Sequence, residues 1–172
     1  QRKLDKNLPP PTAKESVQIP CCLNRDATRG TYALPVALFH ERLAEELRET
    51  PGILKEVANT RWPRCYEEHP LVLGARREGL PDPLPLAVYT DGVRYGSQIA
   101  GRSDSVWGVW VVNLVTHKRH LVTALRSSLL CRCGCKGWCS LFPVFLFLKW
   151  SFEACRSGVF PATDYLGKPW PH

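Results

Sequence analysis

Four of the eight cysteines in this 172-residue chain fall within nine residues, Cys131-Arg-Cys133-Gly-Cys135-Lys-Gly-Trp-Cys139. A zinc ion takes four thiolate or imidazole ligands in a tetrahedron. Closely spaced cysteines supply several of them when the chain can fold back on itself. Gly134 and Gly137 loosen the backbone for that turn, and Arg132 and Lys136 stabilise neighbouring thiolates. His120, on an adjoining segment, is a candidate to replace one cysteine, and His117 is a second. Structural zinc is the favoured reading, with disulfides of an oxidising compartment or free thiols as alternatives. Cys65 and His69 form a further ligand pair, but two more ligands are missing nearby. Cys21 and Cys22 read as ordinary thiols, because adjacent cysteines are poorly placed to bridge each other.

Asp91 is the second candidate for chemistry. It follows the apolar, β-prone run Leu84-Pro-Leu-Ala-Val-Tyr-Thr90, and Gly92 comes after it. A carboxylate held by a rigid strand can bind a hard divalent cation such as magnesium. A two-metal site needs further acids, and Asp104, after the Gly-rich loop, and Glu153, in the apolar helix, are the only nearby candidates. The competing reading of Asp91-Gly92 is a plain turn.

The elements that must position these groups follow from periodicity. Residues 1–33 read as a polar, Pro-rich tail or linker. Residues 34–80 read as a helical extension. Its first helix spans Leu34 to Thr50 with Pro35 in the first turn, its second runs from about Pro51 to Asn59, and an irregular stretch follows. Residues 81–172 hold three strands with short connections, and hence an antiparallel meander. The first ends at Asp91-Gly92, with Val93 and Tyr95 briefly continuing its alternation. A flexible loop follows from Gly96 to Asp104. The second strand spans Ser105–Leu114, with Thr116-His117-Lys118 as a turn, and the third spans Arg119–Arg126. After the cysteines, Ser140 opens an apolar helix with Pro143 in its first turn and Gly158 as its C-cap. Such a helix is buried against a sheet. Its apolar run, Leu141–Leu148, is far shorter than the about 20 residues a bilayer span needs. His40 reads as an ordinary helix histidine.

The net charge of +7 is concentrated in one segment. Residues 84–157 carry nine Lys/Arg and three Asp/Glu, which is +6. That balance points to a polyanion partner, most often nucleic acid. Arg94, Arg102, Lys118, Arg119 and Arg126 flank the Asp91 strand and are the candidate phosphate contacts. Trp107 and Trp110 invite a base-stacking role, although a Val-rich strand more often buries such residues.

The order of strand, Asp91-Gly92, two further strands and helix resembles the opening of an RNase H-like domain. Pro85–Val93, Asp104–Leu114, Lys118–Leu121, the cysteine cluster and Trp150-Ser151 together resemble the Tnp2-like and Kyakuja-Dileera-Zisupton transposases, over about residues 70–160. The resemblance implies an α/β fold, a truncated RNase H-like start with a zinc-bearing insertion. It implies metal-dependent DNA cleavage and transfer by a parent protein, with Asp91 as the first of three metal-binding acids and the later two beyond His172. The segment itself would then be inactive. The resemblance also implies a nuclear location and DNA as partner, with no membrane. The rival expectation is a non-catalytic, zinc-stabilised nucleic-acid-binding or interaction module from a domesticated or degraded transposon. The absence of Met and the Gln at position 1 read as marks of an internal piece of a longer protein.

Overall fold

A computed structural model of the chain describes residues 15–23, 28–95 and 104–169. Arg102 and residues 96–103 of the expected Gly96–Asp104 loop lie outside them, as do residues 1–14 and the side chains of Tyr95 and Asp104, and Asp104 itself opens a strand.

The described residues form a mixed α/β fold. An antiparallel hairpin, β1 (Glu15–Cys22) and β2 (Arg29–Val36), opens it. Helices α1 (Phe39–Glu49), α2 (Ile53–Asn59), α3 (Arg64–Glu67) and α4 (Pro70–Arg77) follow. A three-stranded antiparallel sheet comes next, β3 (Leu86–Tyr95), β4 (Asp104–Asn113) and β5 (Arg119–Arg126), in the spatial order of the sequence. After the cysteines the chain enters α5 (Trp138–Ser157).

The hairpin replaces the tail expected over residues 15–33. Val17, Ile19 and Cys21 alternate inward along β1, and Leu34 and Val36 do so along β2, so both strands have an apolar face to bury. Two such short runs, each interrupted by prolines, read as linker until a partner covers them. Pro35 therefore belongs to a strand and not to a helix start. Its carbonyl accepts the Thr123 hydroxyl at 2.7 Å, and Ala37 N–H donates to Val122 O at 2.8 Å, which joins the hairpin to β5. The first helix begins at Phe39 as a result. Two short helices, α3 and α4, occupy the stretch expected to be irregular, with His69 accepting from Leu71 N–H as the N-cap of α4.

Strand β3 runs straight through Asp91 and Gly92, which pair with Gly108 and Trp107 of β4. The plain-turn reading of that dipeptide is therefore corrected. The carboxylate instead accepts from the neighbouring Gly92 N–H at 2.7 Å.

The core lies between α5, α1, the hairpin and one face of the sheet. Val17, Ile19, Leu34, Phe39, Val109, Val111, Val122, Leu125, Val144 and Phe147 form one cluster. Among the described residues no helix is long and apolar enough to cross a membrane. Helix α5 starts two residues before the expected Ser140, so Pro143 sits inside it, while Gly158 (φ 68°) caps it as expected.

One polar group is built into this interior. Glu46 is 1% exposed. Its carboxylate meets His120 Nε2 at 2.6 Å, accepts from Asn113 Nδ2 at 3.1 Å, and accepts from the Thr116 hydroxyl. It thereby ties α1 to the β4–β5 turn. Removing one member of a buried network strands the others. Glu46→Ala is expected to lower unfolding stability by about 3 kcal/mol. Exposed Glu45→Ala should stay within about 0.5 kcal/mol. Urea midpoints of the two variants check the contrast.

Candidate metal centre

The four clustered cysteines converge. The Sγ atoms of Cys131, Cys133, Cys135 and Cys139 all lie within 4.8 Å of one another. They are the one group of three or more ligand-type side chains gathered among the described residues. A zinc–sulfur distance of about 2.3 Å sets a tetrahedral edge of about 3.8 Å. The Cys133 and Cys139 sulfurs already sit 3.7 Å apart. The donor set therefore fits a tetrahedral ion after a small contraction, and all four cysteines are unbridged.

The backbone makes this possible through three left-handed residues in quick succession. Gly134 has φ 95°, Lys136 φ 52° and Gly137 φ 86°. Glycine reaches that region without strain, and Lys136 is the one non-glycine among the three. The loop then feeds directly into α5. Trp138 N–H donates to Cys135 O at 3.0 Å, and Cys139 N–H points at the Cys135 sulfur at 3.5 Å.

The charges are arranged for thiolates. The Cys139 N–H lowers the Cys135 thiol to about 6. An N–H from Cys133, followed by the Arg29 guanidinium at 3.6 Å, holds Cys131 below the ordinary thiol range. Cys139 is pushed the other way, to about 12, because its thiol donates to Cys135 and Cys133. Arg29 comes from the hairpin, 102 residues away in sequence, and nothing in its own neighbourhood marks it as part of a cysteine site. Ser140 adds a second tie to the hairpin. Its hydroxyl accepts from Cys131 N–H at 2.9 Å and donates to Pro20 O.

The other candidates are distributed differently. His120 is held by Glu46 in the core and is not among the gathered ligands, which corrects its expected role as a zinc ligand. Cys65 is exposed and His69 is a helix cap, so that pair is not assembled into a site. His40 is buried, with Nδ1 2.9 Å from the Ser151 hydroxyl. Asp91 is exposed on β3, on the opposite face from buried Val109. Glu153 rises from α5, which covers the core face, so it does not join Asp91.

The basic residues do not make one surface. Lys118 is taken up by Glu49 at 3.0 Å. Arg94 falls in phase with the core-side residues of β4, whereas Arg119 and Arg126 fall on the opposite face. Trp107 packs against the core, but Trp110 lies on that opposite face.

The fold and the site together define a mixed α/β protein with a four-cysteine centre capable of holding a metal ion. No family model matches the chain, no curated protein is similar to it, and no solved structure matches its fold.

The thiol environments have a direct consequence for the metal-free protein. Cys135 is ionised above about pH 6, whereas Cys139 stays protonated until about pH 12. Alkylation at pH 7.5 is expected to label Cys135 well before Cys139, with the preference fading as pH falls below 6. Peptide mapping of a timed iodoacetamide reaction checks this order.

Proposed function

We propose that this chain is a zinc-stabilised, nucleic-acid-binding module of transposase-like origin. The observation that carries the reading is the convergence of four sulfurs within 4.8 Å at the entrance to α5. An all-sulfur tetrahedral set suits zinc or iron, and no open position is built into it. Its role is structural: it fixes the turn between β5 and the buried helix.

The transposase-like part rests on the resemblance set out above. A three-stranded meander with Asp91 on its first strand, followed by a cysteine loop and a buried helix, accords with an RNase H-like start. In that reading Asp91 is the first metal-binding acid of a DNA-cleaving parent and would hold magnesium together with two later acids. The chain's place is then nuclear and its partner is DNA, held through Arg119 and Arg126. A second reading, a non-catalytic interaction module from a degraded or domesticated transposon, is favoured by one observation. Neither Glu153 nor Glu46 shares a sheet face with Asp91, so no second carboxylate supports it from α5 or α1.

Purified protein is expected to carry one equivalent of zinc and to be colourless, since a sulfur-bound iron centre would absorb visible light. Chelation, or Cys135→Ser, should lower Tm by about 10 °C or more. Zinc below about half an equivalent, with no change of Tm on chelation, overturns the structural role. A duplex oligonucleotide should bind at about 50 mM salt and weaken steeply as salt rises. No binding at that salt removes the DNA-holding part of the proposal. Asp91→Asn should leave Tm within about 1 °C, since the carboxylate is exposed.

A further inference from the structure

The sheet has two faces, and among the described residues α5, α1 and the hairpin cover only one. The register assigns the other face to Ala87, Tyr89, Asp91 and Val93 on β3, to Val106, Gly108, Trp110 and Val112 on β4, and to Arg119, Leu121, Ala124 and Arg126 on β5. A bulge at Val109/Trp110 keeps Val122 and Thr123 together on the core side, so Leu121 stays on the open face. None of these open-face side chains belongs to the core cluster or packs against it. Tyr89 is 37% exposed, Leu121 49% and Val93 58%.

This face carries a built aromatic platform. The Tyr89 and Trp110 rings lie near-parallel, 11° apart in plane, with centroids 5.0 Å apart. The indole lies down over Gly108: a Cβ placed there would sit 2.0 Å from its ring. Gly108 is therefore a glycine because the indole occupies its side-chain space. Tyr89, the more exposed of the two rings, stacks on one face of the indole.

Two cations bracket the platform. Arg119 and Arg126 stand at opposite ends of β5, about 23 Å apart at about 3.3 Å per residue. Both are exposed, and neither makes an ion pair among the described residues. Among the residues whose side chains are described, Asp91 is the one acid that the register puts on this face, and its carboxylate is turned to the Gly92 N–H.

We propose that this uncovered face binds single-stranded nucleic acid, with unpaired bases stacking on Trp110 and Tyr89 and phosphates neutralised by Arg119 and Arg126. Every base has a π-face, so stacking is tolerant of sequence, and flanking arginines track the backbone. A duplex hides its base faces and could use only the arginines. Arg119 and Arg126 against Asp91 leave the described side chains of this face net positive, which matches a polyanion better than a purely apolar partner. The inference deepens the nucleic-acid reading above by naming strandedness and surface.

The test is fluorescence anisotropy of the zinc-loaded 172-residue chain with labelled 12-mers: single-stranded DNA, single-stranded RNA and duplex DNA. Single strands are expected to bind more tightly than duplex and to quench tryptophan emission. Trp110→Ala should weaken single-strand binding about tenfold or more while leaving duplex binding unchanged. Trp110→Phe should restore much of the loss. Arg119→Gln with Arg126→Gln should reduce the slope of log K against log salt by about 1.4, at about 0.7 per phosphate contact on a single strand. Circular dichroism verifies folding, and Tyr89→Leu serves as a second variant should Trp110→Ala fail to fold. Equal affinity for duplex and single strands, with Trp110→Ala neutral, overturns the stacking proposal and leaves the duplex reading standing. Loss of binding to all three oligonucleotides overturns both. A dimer that Trp110→Ala dissociates, with no oligonucleotide bound, also overturns it and assigns the face to a second copy. The relative affinities of the DNA and RNA strands identify which nucleic acid the face prefers.

Discussion

Helix α5 is apolar on too many sides to be satisfied by one neighbour. Val144, Phe147, Leu148 and Ala154 are buried, and Leu141, Phe145, Trp150 and Phe152 are half-buried around them. A helix with so broad an apolar surface needs cover from several directions. The sheet supplies one side, α1 a second, and the β1–β2 hairpin a third. The hairpin in turn has no other reason to be ordered. Its inward residues Val17, Ile19, Leu34 and Val36 are fully or almost fully withdrawn from water only because this helix and sheet lie against them. Hydrophobic burial of α5 is the constraint from which the arrangement of the other elements follows.

The cysteine loop stands at the point where that constraint is set. It links the last strand of the sheet to the first turn of α5, so its conformation determines where the helix starts. Cys131 and Ser140 bind each other across the loop, and Ser140 and Arg29 bind the loop to the hairpin. A metal ion held by the four sulfurs would therefore brace three elements at one point. Four thiolates around a divalent cation leave an excess of negative charge, and Arg29, Arg132 and Lys136 are the nearby residues that offset it. The buried Glu46 network does comparable work at the other end of the sheet, where it fastens α1 to the β4–β5 turn.

The open face of the sheet is the counterpart of the crowded one. Strand β4 alternates between them, and its two tryptophans divide accordingly. Trp107 faces the core, whereas Trp110 reaches over Gly108 on the other side and stacks with Tyr89. The same alternation separates Arg94 from Arg119 and Arg126. The positive charge that looks like one patch along the chain is therefore divided in space, and only part of it accompanies the aromatic platform.

The meander, the apolar helix with its Gly158 cap, and the metal-competent cysteines were all legible in the sequence. Each rests on local physics: alternation of β-prone residues, a broad apolar run, and ligands close enough along the chain for a few left-handed residues to gather them. The hairpin, the role of His120 and the division of the basic residues were not legible. Pro20 and Pro35 mask strands whose stability comes from distant cover. His120 finds a carboxylate 74 residues away, and Arg29 reaches a thiol 102 residues away. Asp91-Gly92 carries turn chemistry, yet pairing with Gly108 and Trp107 keeps it extended, because ladder bonds and cross-strand packing outweigh a dipeptide preference. Local propensity and spacing thus determined the elements and the four-sulfur site. Burial and pairing between segments far apart in the chain decided which side chains meet and which face of the sheet remains open.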